Sequence, residues 1–183
     1  VLRAYQQRGG RVSVIGRHHL AVDAVLPDNE KVGTLAAQHL VELGHRDVLV
    51  AAGSDQLTTI ADRLSGVRSV FRKAGIQATV VHDEFTLEGG ARVAARIDEL
   101  ATRPSAILAL SDLMAIGVLQ ELRRHGMRVP EDISVMGIDD IKVAQSLAPA
   151  LTTVAVPLTE MGEIAFSMLR KPSAARPRRR LVT

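Results

Sequence analysis

Short runs of aliphatic residues alternate along this chain with longer segments in which apolar residues recur every three or four positions. The short runs are typical of buried strands, and the longer segments are typical of amphipathic helices. The pattern predicts strands at 12–15, 48–52, 77–82, 106–110, 133–138, 151–154 and 181–183. It predicts helices at 29–43, 60–74, 87–101, 112–125 and 158–169. Because helices separate the strands, we expect parallel pairing in a doubly wound α/β fold, without knowing whether it forms one lobe or two.

The amino-acid composition indicates which residues form the core and in which cellular compartment the protein is expected. Hydrophobic residues make up 46% of the 183 residues but aromatic residues only 2%, so the core must be aliphatic, as in a parallel sheet covered by helices. The absence of cysteine excludes disulfides and thiolate chemistry and suits a reducing cytoplasm. No apolar run approaches the roughly 20 residues of a membrane span, and no signal peptide is recognisable. Because the chain starts at Val1, we expect a fragment of a longer protein.

The formal net charge of +3 does not indicate a nucleic-acid-binding surface. Four of the positive charges belong to a cluster formed by Arg176, Arg178, Arg179 and Arg180. Without these four arginines the rest of the chain has a net charge of −1. We expect the cluster to be a solvated segment, with phosphate binding as the alternative.

Motifs for catalysis are missing. The sequence contains no glycine-rich nucleotide loop, no nucleophile elbow and no zinc-protease motif, and its six histidines lack metal-ligand spacing. The pair Asp139-Asp140 could hold Mg²⁺, but nothing nearby suggests phosphate chemistry. We therefore predict no catalytic residue, no cofactor and no metal.

A set of side chains does occupy the junctions between predicted strands and helices, where open α/β sheets bind ligands. The set comprises Asp28, Arg63, Phe85, Ser111, Asp112 and Asp139. Carboxylates and a guanidinium can bind sugar hydroxyls, and an aromatic face can pack on a sugar ring. Most of these residues alone have a simpler explanation: helix capping for Asp28, Ser111 and Asp112, a surface or ion-pair role for the arginine, and core packing for the phenylalanine. Their joint placement favours a ligand site.

Seven segments carry a family resemblance, and their order and spacing are specific in combination. They are PDNEKVG at 27–33, HLVELGHR at 39–46, RLSG at 63–66, SDLMAIG at 111–117, VPEDISVMGIDD at 129–140, LTTVAVP at 151–157 and EMG at 160–162. With these segments the chain resembles the LacI/GalR family of bacterial transcription regulators over essentially its whole length. The resemblance implies an effector-binding core with two lobes like those of periplasmic sugar-binding proteins, which binds its effector between them and dimerises.

The resemblance also implies how the chain divides. An N-terminal lobe, which would be incomplete, would contain 1–44 and 153–174, and a C-terminal lobe would contain 45–152 and 175–183. The chain would cross between the lobes near Gly44, near Thr152-Thr153 and near Pro172 to Arg176. A helix-turn-helix headpiece, through which alone operator DNA would be bound, is expected outside this chain.

Residue by residue, Asp28, Arg63, Phe85 and Asp139 match family ligand contacts. Two positions depart from the family pattern. Ser111 replaces the usual asparagine, and because a hydroxyl is shorter and has one donor where the amide has two, we expect an altered or water-mediated contact. Ile138 replaces the usual aromatic residue, which removes packing area but no polar contact.

Three functions compete at this point. The first is a regulator core that senses a small molecule, with a sugar as the expected effector. The second is a free-standing periplasmic-type sugar-binding protein, which the segments at 39–46 and 129–132 disfavour. The third is a sugar-handling hydrolase that uses Asp112 and Asp139 as acid and base, although no nucleophile motif supports it. The sequence leaves open which effector is bound and whether it induces or co-represses.

Overall fold

The computed structural model describes residues 2–18, 20–170 and 177–182. Within these residues the helices are α1 Leu2–Gln7, α2 Asn29–Glu42, α3 Thr58–Lys73, α4 Leu87–Ala95, α5 Asp112–Arg124, α6 Lys142–Gln145 and α7 Leu158–Arg170. The strands are β1 Ser13–Ile15, β2 Asp23–Pro27, β3 Asp47–Ala52, β4 Gln77–His82, β5 Ala106–Ala109, β6 Ser134–Asp139, β7 Thr152–Ala155 and β8 Arg179–Val182. The chain forms two compact units, which we call the terminal unit (Val1–Asp28 with Pro157–Thr183) and the central unit (Asn29–Val156).

The central unit is built on five parallel strands in the order β4-β3-β5-β6-β7. Leu49 and Ala51 of β3 and Ile107 of β5 pack in one cluster with buried residues of α4 and α5. Successive strand residues point to opposite faces, and the alternate residues Val48 and Val50 are equally buried, so both faces of the sheet are covered. This double coverage explains the continuous aliphatic runs seen in the sequence.

The terminal unit contains a sheet of three parallel strands in the order β1-β2-β8, with α7 packed on β1 and β2. Arg178, just before β8, donates from its backbone N–H to Asp23 Oδ1 (2.8 Å) and from its guanidinium to Asp23 Oδ2. The same guanidinium donates to the Met168 carbonyl at 2.8 Å. The hydrogen bonds that Arg178 donates to Asp23 hold the pKa of the Asp23 carboxyl below its usual value. Arg178 of the predicted arginine cluster is therefore a structural residue, while Arg176 lies outside the described residues.

The α/β class and the parallel sheets are confirmed, with three additions and one change. Strand β2 and the short helices α1 and α6 were not predicted. The predicted helix 87–101 ends at Ala95 and continues as one turn of 3-10 helix, Ile97–Glu99. The sequence DAVLP of β2 offers only three apolar residues between an aspartate and a proline, so its pattern is too short to indicate a strand.

The compact units differ from the predicted lobes in three places. Helix α2, predicted to belong with the first lobe up to residue 44, packs against α3 and contacts strands β5, β6 and β7, so the unit boundary falls at Asp28. Strand β8, predicted to belong with the C-terminal lobe, pairs with β2 of the terminal unit. Residues 153–156, predicted to belong with the N-terminal lobe, lie in the central unit, because β7 pairs with β6 and the chain leaves this unit only after Val156. The predicted crossing near Pro172 to Arg176 lies outside the described residues.

Two helix pairs of the central unit cross at reciprocal glycines. A Cβ atom on Gly33 of α2 would overlap the Arg63 carbonyl of α3, and one on Gly66 of α3 would overlap the Glu30 carbonyl of α2. Gly90 of α4 and Gly117 of α5 face the backbone of each other's helix in the same way. Glycine is therefore required by close backbone approach at these crossings.

We expect Gly33→Ala to lower the free energy of unfolding by about 1–3 kcal/mol, because the added methyl group must push α2 away from α3. The matched control is Gly162→Ala in the middle of α7, where an added Cβ has no atom within 4 Å. That control should be neutral or stabilise by up to about 1 kcal/mol, because alanine favours helix over glycine. Urea unfolding of both variants measures the difference, and equal effects of the two substitutions would contradict the crossing argument.

Candidate functional site

The strand order of the central unit defines where a ligand would bind. Counted within the unit, the order is 2-1-3-4-5, which is the flavodoxin-like arrangement. From β3 the chain first adds β4 on one side and then returns to add β5 on the other side. The connections that leave β3 and β5 therefore go to opposite faces of the sheet. Ligands of such sheets bind at this switch point, beyond the carboxyl ends of the strands.

Arg63 lies at this position with its guanidinium almost completely buried. It is in the second turn of α3, and its residue exposure is 4%. Its Nε donates to Asn29 Oδ1 (3.1 Å), one terminal nitrogen donates to the Leu110 carbonyl (2.6 Å), and the other donates to Asp139 Oδ1 (2.8 Å). One side chain thus links the start of α2, the end of β5 and the end of β6.

Asn29, the first residue of α2, belongs to this site although it is not among the six residues predicted from the sequence. It is buried, and it reaches Arg63 because the crossing at Gly33 and Gly66 brings α2 close to α3. The motif RLSG carries both the arginine and the glycine of this arrangement. Asn29 and Arg63 are thirty-four residues apart in sequence, and no sequence pattern indicates that their side chains form a hydrogen bond.

Asp139 ends β6 in an unusual backbone conformation. Its φ is 120° and that of Asp140 is 52°, both in the region that L-residues rarely adopt. Burial raises the pKa of the Asp139 carboxyl above its usual value, the ion pair with Arg63 opposes the rise, and the charge of Asp112 adds to it. The side chain keeps 23% exposure, so the carboxylate can still reach a molecule arriving from solvent.

Ser111 and Asp112, two predicted ligand contacts, are engaged inside the protein. Ser111 caps α5 by accepting a hydrogen bond from the Met114 N–H at 3.3 Å. Asp112 is fully buried; its Oδ1 accepts from the Thr153 hydroxyl (2.6 Å) and its Oδ2 from the Ile141 N–H (2.9 Å). The Asp112 carboxylate therefore links Thr153 and Ile141 at this edge of the sheet. Neither of its oxygens is exposed, so the structure does not support its predicted contact with a ligand.

Phe85 follows β4, at the same edge of the sheet, and is half-buried. Its ring packs over Gly53, where a Cβ atom would lie 2.6 Å from the ring, and against the core beneath α4 and α5. Arg92 of α4 holds the preceding loop by donating to Asp83 Oδ1 (2.6 Å) and Glu84 Oε2 (3.0 Å). The ring therefore has a fixed orientation from which it can pack on a ligand.

Asp28, the sixth predicted residue, belongs to the terminal unit. It follows β2, and its backbone N–H donates to the Val182 carbonyl of β8 at 2.9 Å. It is bonded in sequence to Asn29, the partner of Arg63. The structure thus brings Arg63 and Asp139 into contact beside Asp112, and puts Ser111 and Phe85 at the same sheet edge; the role of Asp28 stays a prediction.

Neither a metal cluster nor a membrane span is found in the parts of the chain that the structure describes. No three His, Cys, Asp or Glu side chains there come together as metal ligands would. No helix among those residues has the length and apolarity needed to cross a bilayer.

Comparison with known proteins agrees with this geometry. The family described as "periplasmic binding protein-like domain" matches residues 37–182. The ribose operon repressor of Haemophilus influenzae is 32% identical over 153 residues, which cover 82% of this chain and 46% of that protein. The transcriptional repressor PurR of Escherichia fergusonii is 38% identical over 150 residues, covering 80% and 44%. The chain thus spans about half the length of the curated relatives it matches.

Among solved structures, the chain is similar to a LacI family transcriptional regulator from Enterococcus faecium with bound ribose. The TM-score is 0.88 and the identity 26%, with 99% of this chain and 70% of that chain covered. The chain belongs to the periplasmic-binding-protein-like domain family, in the form found in LacI-type transcription regulators.

Replacing Arg63 with methionine should lower the free energy of unfolding by about 3 kcal/mol at neutral pH, because the Asp139 charge loses its partner. The loss should shrink on acidification. Without Arg63 the pKa of Asp139 rises further, the folded state holds a proton that the unfolded state releases, and stability falls as pH rises through that window.

The control for this prediction is Arg68→Met, five residues further along α3 on its exposed side, which should change stability by no more than about 0.5 kcal/mol. Urea unfolding at pH 4.5 and 7.5 compares the two variants. A loss from Arg63→Met that is as small as the control's, or independent of pH, would show that the buried pair does not stabilise the fold.

Proposed function

We propose that this chain is the effector-sensing core of a LacI-type transcription regulator and that it binds a small sugar at the switch point of the central unit. The observation that carries the proposal is the buried Arg63–Asp139 pair at the carboxyl edge of the sheet, with a carboxylate that keeps access to solvent. The relatives support it: both are named repressors, and the Enterococcus faecium neighbour holds ribose.

The donor and acceptor inventory fits a polyol. Asp139 can accept hydrogen bonds from neighbouring hydroxyl groups of a sugar. Arg63 has five N–H groups, of which three are used inside the protein, and its side chain is 5% exposed, so its main role in the proposed site is to hold Asp139 in place. Phe85 offers an apolar face for the C–H side of the ring. A molecule with adjacent hydroxyls on one side and C–H groups on the other matches this set.

The alternative functions receive less support. An acid–base pair formed by Asp112 and Asp139 would need two accessible carboxylates, and both oxygens of Asp112 already accept hydrogen bonds in a fully buried position. We therefore propose that the chain is not an enzyme. A free-standing sugar-binding protein would share the fold, but the similar proteins of known name are regulators.

Calorimetric titration of a sugar panel that includes D-ribose and other pentoses and hexoses tests the site. For a sugar that binds, Asp139→Asn should weaken binding by about 1.5–3 kcal/mol, because a charged hydrogen-bond acceptor is lost. Phe85→Ala should also weaken it through lost packing on the ring. The matched control is Asp140→Asn, which removes the neighbouring exposed carboxylate and should leave affinity unchanged.

The same titration at lower pH gives a second readout. Because Asp139 has a raised pKa, affinity should begin to fall at a pH above the usual range of an aspartate, as the carboxylate takes up a proton. This pH dependence should be absent in Asp139→Asn. Equal affinities of the wild type and Asp139→Asn for a bound sugar would refute the assignment.

We also propose that the intact regulator is a homodimer whose operator affinity responds to the bound sugar. A ligand can change that affinity only through its differential affinity for two states of the protein, a coupling typically of about 1–3 kcal/mol. Sedimentation and operator titration of the full-length protein, with and without sugar, should show a dimer and an effect of that size. A strictly monomeric regulator, or one whose operator affinity ignores a sugar that fills the site, would contradict this proposal.

A further inference from the structure

We infer that Asp112 and Thr153 form a positioning pair that holds the bend at Asp139-Asp140 and thereby aims the Asp139 carboxylate at a ligand. The inference rests on the proposed function in so far as Asp139 is taken as the ligand contact. Asp112 was predicted from the sequence to contact the ligand, but it is fully buried with both oxygens engaged, and Thr153 was not predicted to contact it.

The bend needs such support. Two consecutive non-glycine residues, Asp139 and Asp140, have φ values of 120° and 52°. Aspartate tolerates the left-handed region better than most residues, but the value at Asp139 lies well beyond it. Backbone of this kind persists only where the surrounding structure fixes it.

Hydrogen bonds from one side-chain pair fix the two peptide groups that follow Asp139. The N–H of Asp140 donates to the Thr153 hydroxyl oxygen at 3.3 Å, and the N–H of Ile141 donates to Asp112 Oδ2 at 2.9 Å. The Thr153 hydroxyl in turn donates its hydrogen to Asp112 Oδ1 at 2.6 Å. The single hydroxyl thus acts as donor and acceptor at once, and the carboxylate accepts on both oxygens.

Gly137 is an independent sign that β6 is built around this carboxylate. It lies inside β6, where glycine is unfavourable for a strand and usually marks close approach of another group. A Cβ atom on Gly137 would overlap Asp112 Oδ1. Any other residue here would displace the carboxylate from the position in which it holds Ile141 and Thr153.

The pair connects three elements that carry the site. Asp112 is the first residue of α5, where the positive end of the helix dipole favours a buried carboxylate. Thr153 lies in β7, which pairs with β6 at Gly137↔Thr153 and Asp139↔Ala155. The direction of the Asp139 side chain therefore depends on a residue of β7 that has no ligand contact assigned to it.

The test uses three variants of the full chain. Thr153→Val keeps the shape and the β-branch but removes the hydroxyl, Thr153→Ser restores the hydroxyl without the methyl group, and Thr152→Val makes the same change at the exposed neighbouring position. Amide hydrogen exchange is measured by NMR without ligand, and affinity is measured for D-ribose and for any other sugar of the panel that binds the wild type. Urea unfolding reports global stability.

We expect Thr153→Val to speed exchange of the Asp140 and Ile141 amides about tenfold relative to any change in amides of β3, because their local opening is no longer opposed by the pair. Sugar affinity should fall severalfold in the same variant. Thr153→Ser should restore both quantities, and Thr152→Val should alter neither. A general loss of stability would instead speed the exchange of β3 amides equally.

Unchanged exchange at Asp140 and Ile141 in Thr153→Val overturns the inference, whether or not a sugar binds. Faster exchange with undiminished affinity for a sugar that binds the wild type also overturns it, since the bend would then not aim the carboxylate. Faster exchange in a protein that binds none of the sugars supports the pair as the support of the bend and counts against the proposed function instead.

Discussion

Burial of the Arg63 guanidinium is the constraint on which much of the central unit depends. A buried guanidinium needs acceptors for its N–H groups, because an unpaired buried charge is very costly. Those acceptors come from Asn29, Leu110 and Asp139, on three separate elements. Each must be brought to a fixed place: α2 by its glycine crossing with α3, the end of β5 by the sheet, and Asp139 by the bend after β6. The helix crossing, the sheet and the bend after β6 therefore all help to place the acceptors that Arg63 needs.

Predictions from periodicity were good where the pattern was long and failed where it was short. Strand β4 was predicted with its observed limits, and α3 and α5 within two residues, because aliphatic runs and helical spacing are strong over those lengths. Strand β2 was missed because two buried residues, Ala24 and Val25, are too few to form a pattern. Its partner β8 joins from a distant part of the sequence, and a pairing of that kind leaves no local signal.

The sequence predicted where the site residues lie better than it predicted what each of them contacts. In a parallel sheet, polar residues that follow the strands lie together at one edge. Five of the six predicted residues do lie at that edge of the central unit. What each residue does there depends on neighbours that are remote in sequence. Asp112 was predicted as a ligand contact, but both of its oxygens accept hydrogen bonds from Thr153 and Ile141. Asn29 was not predicted as a site residue, and only the structure shows it beside Arg63. Spacing along the chain carries none of this information.

The two compact units also differ in how their sequence is distributed, with a consequence for synthesis. The central unit is one continuous segment, so all five strands of its sheet are available once residue 156 has left the ribosome. The sheet of the terminal unit pairs β2 with β8, whose sequences lie on either side of that segment. During translation, β2 can pair with β1 but must wait for β8 while the whole central unit is made and can fold. The sheet of the terminal unit can therefore be completed only after the sequence of the central unit has been made.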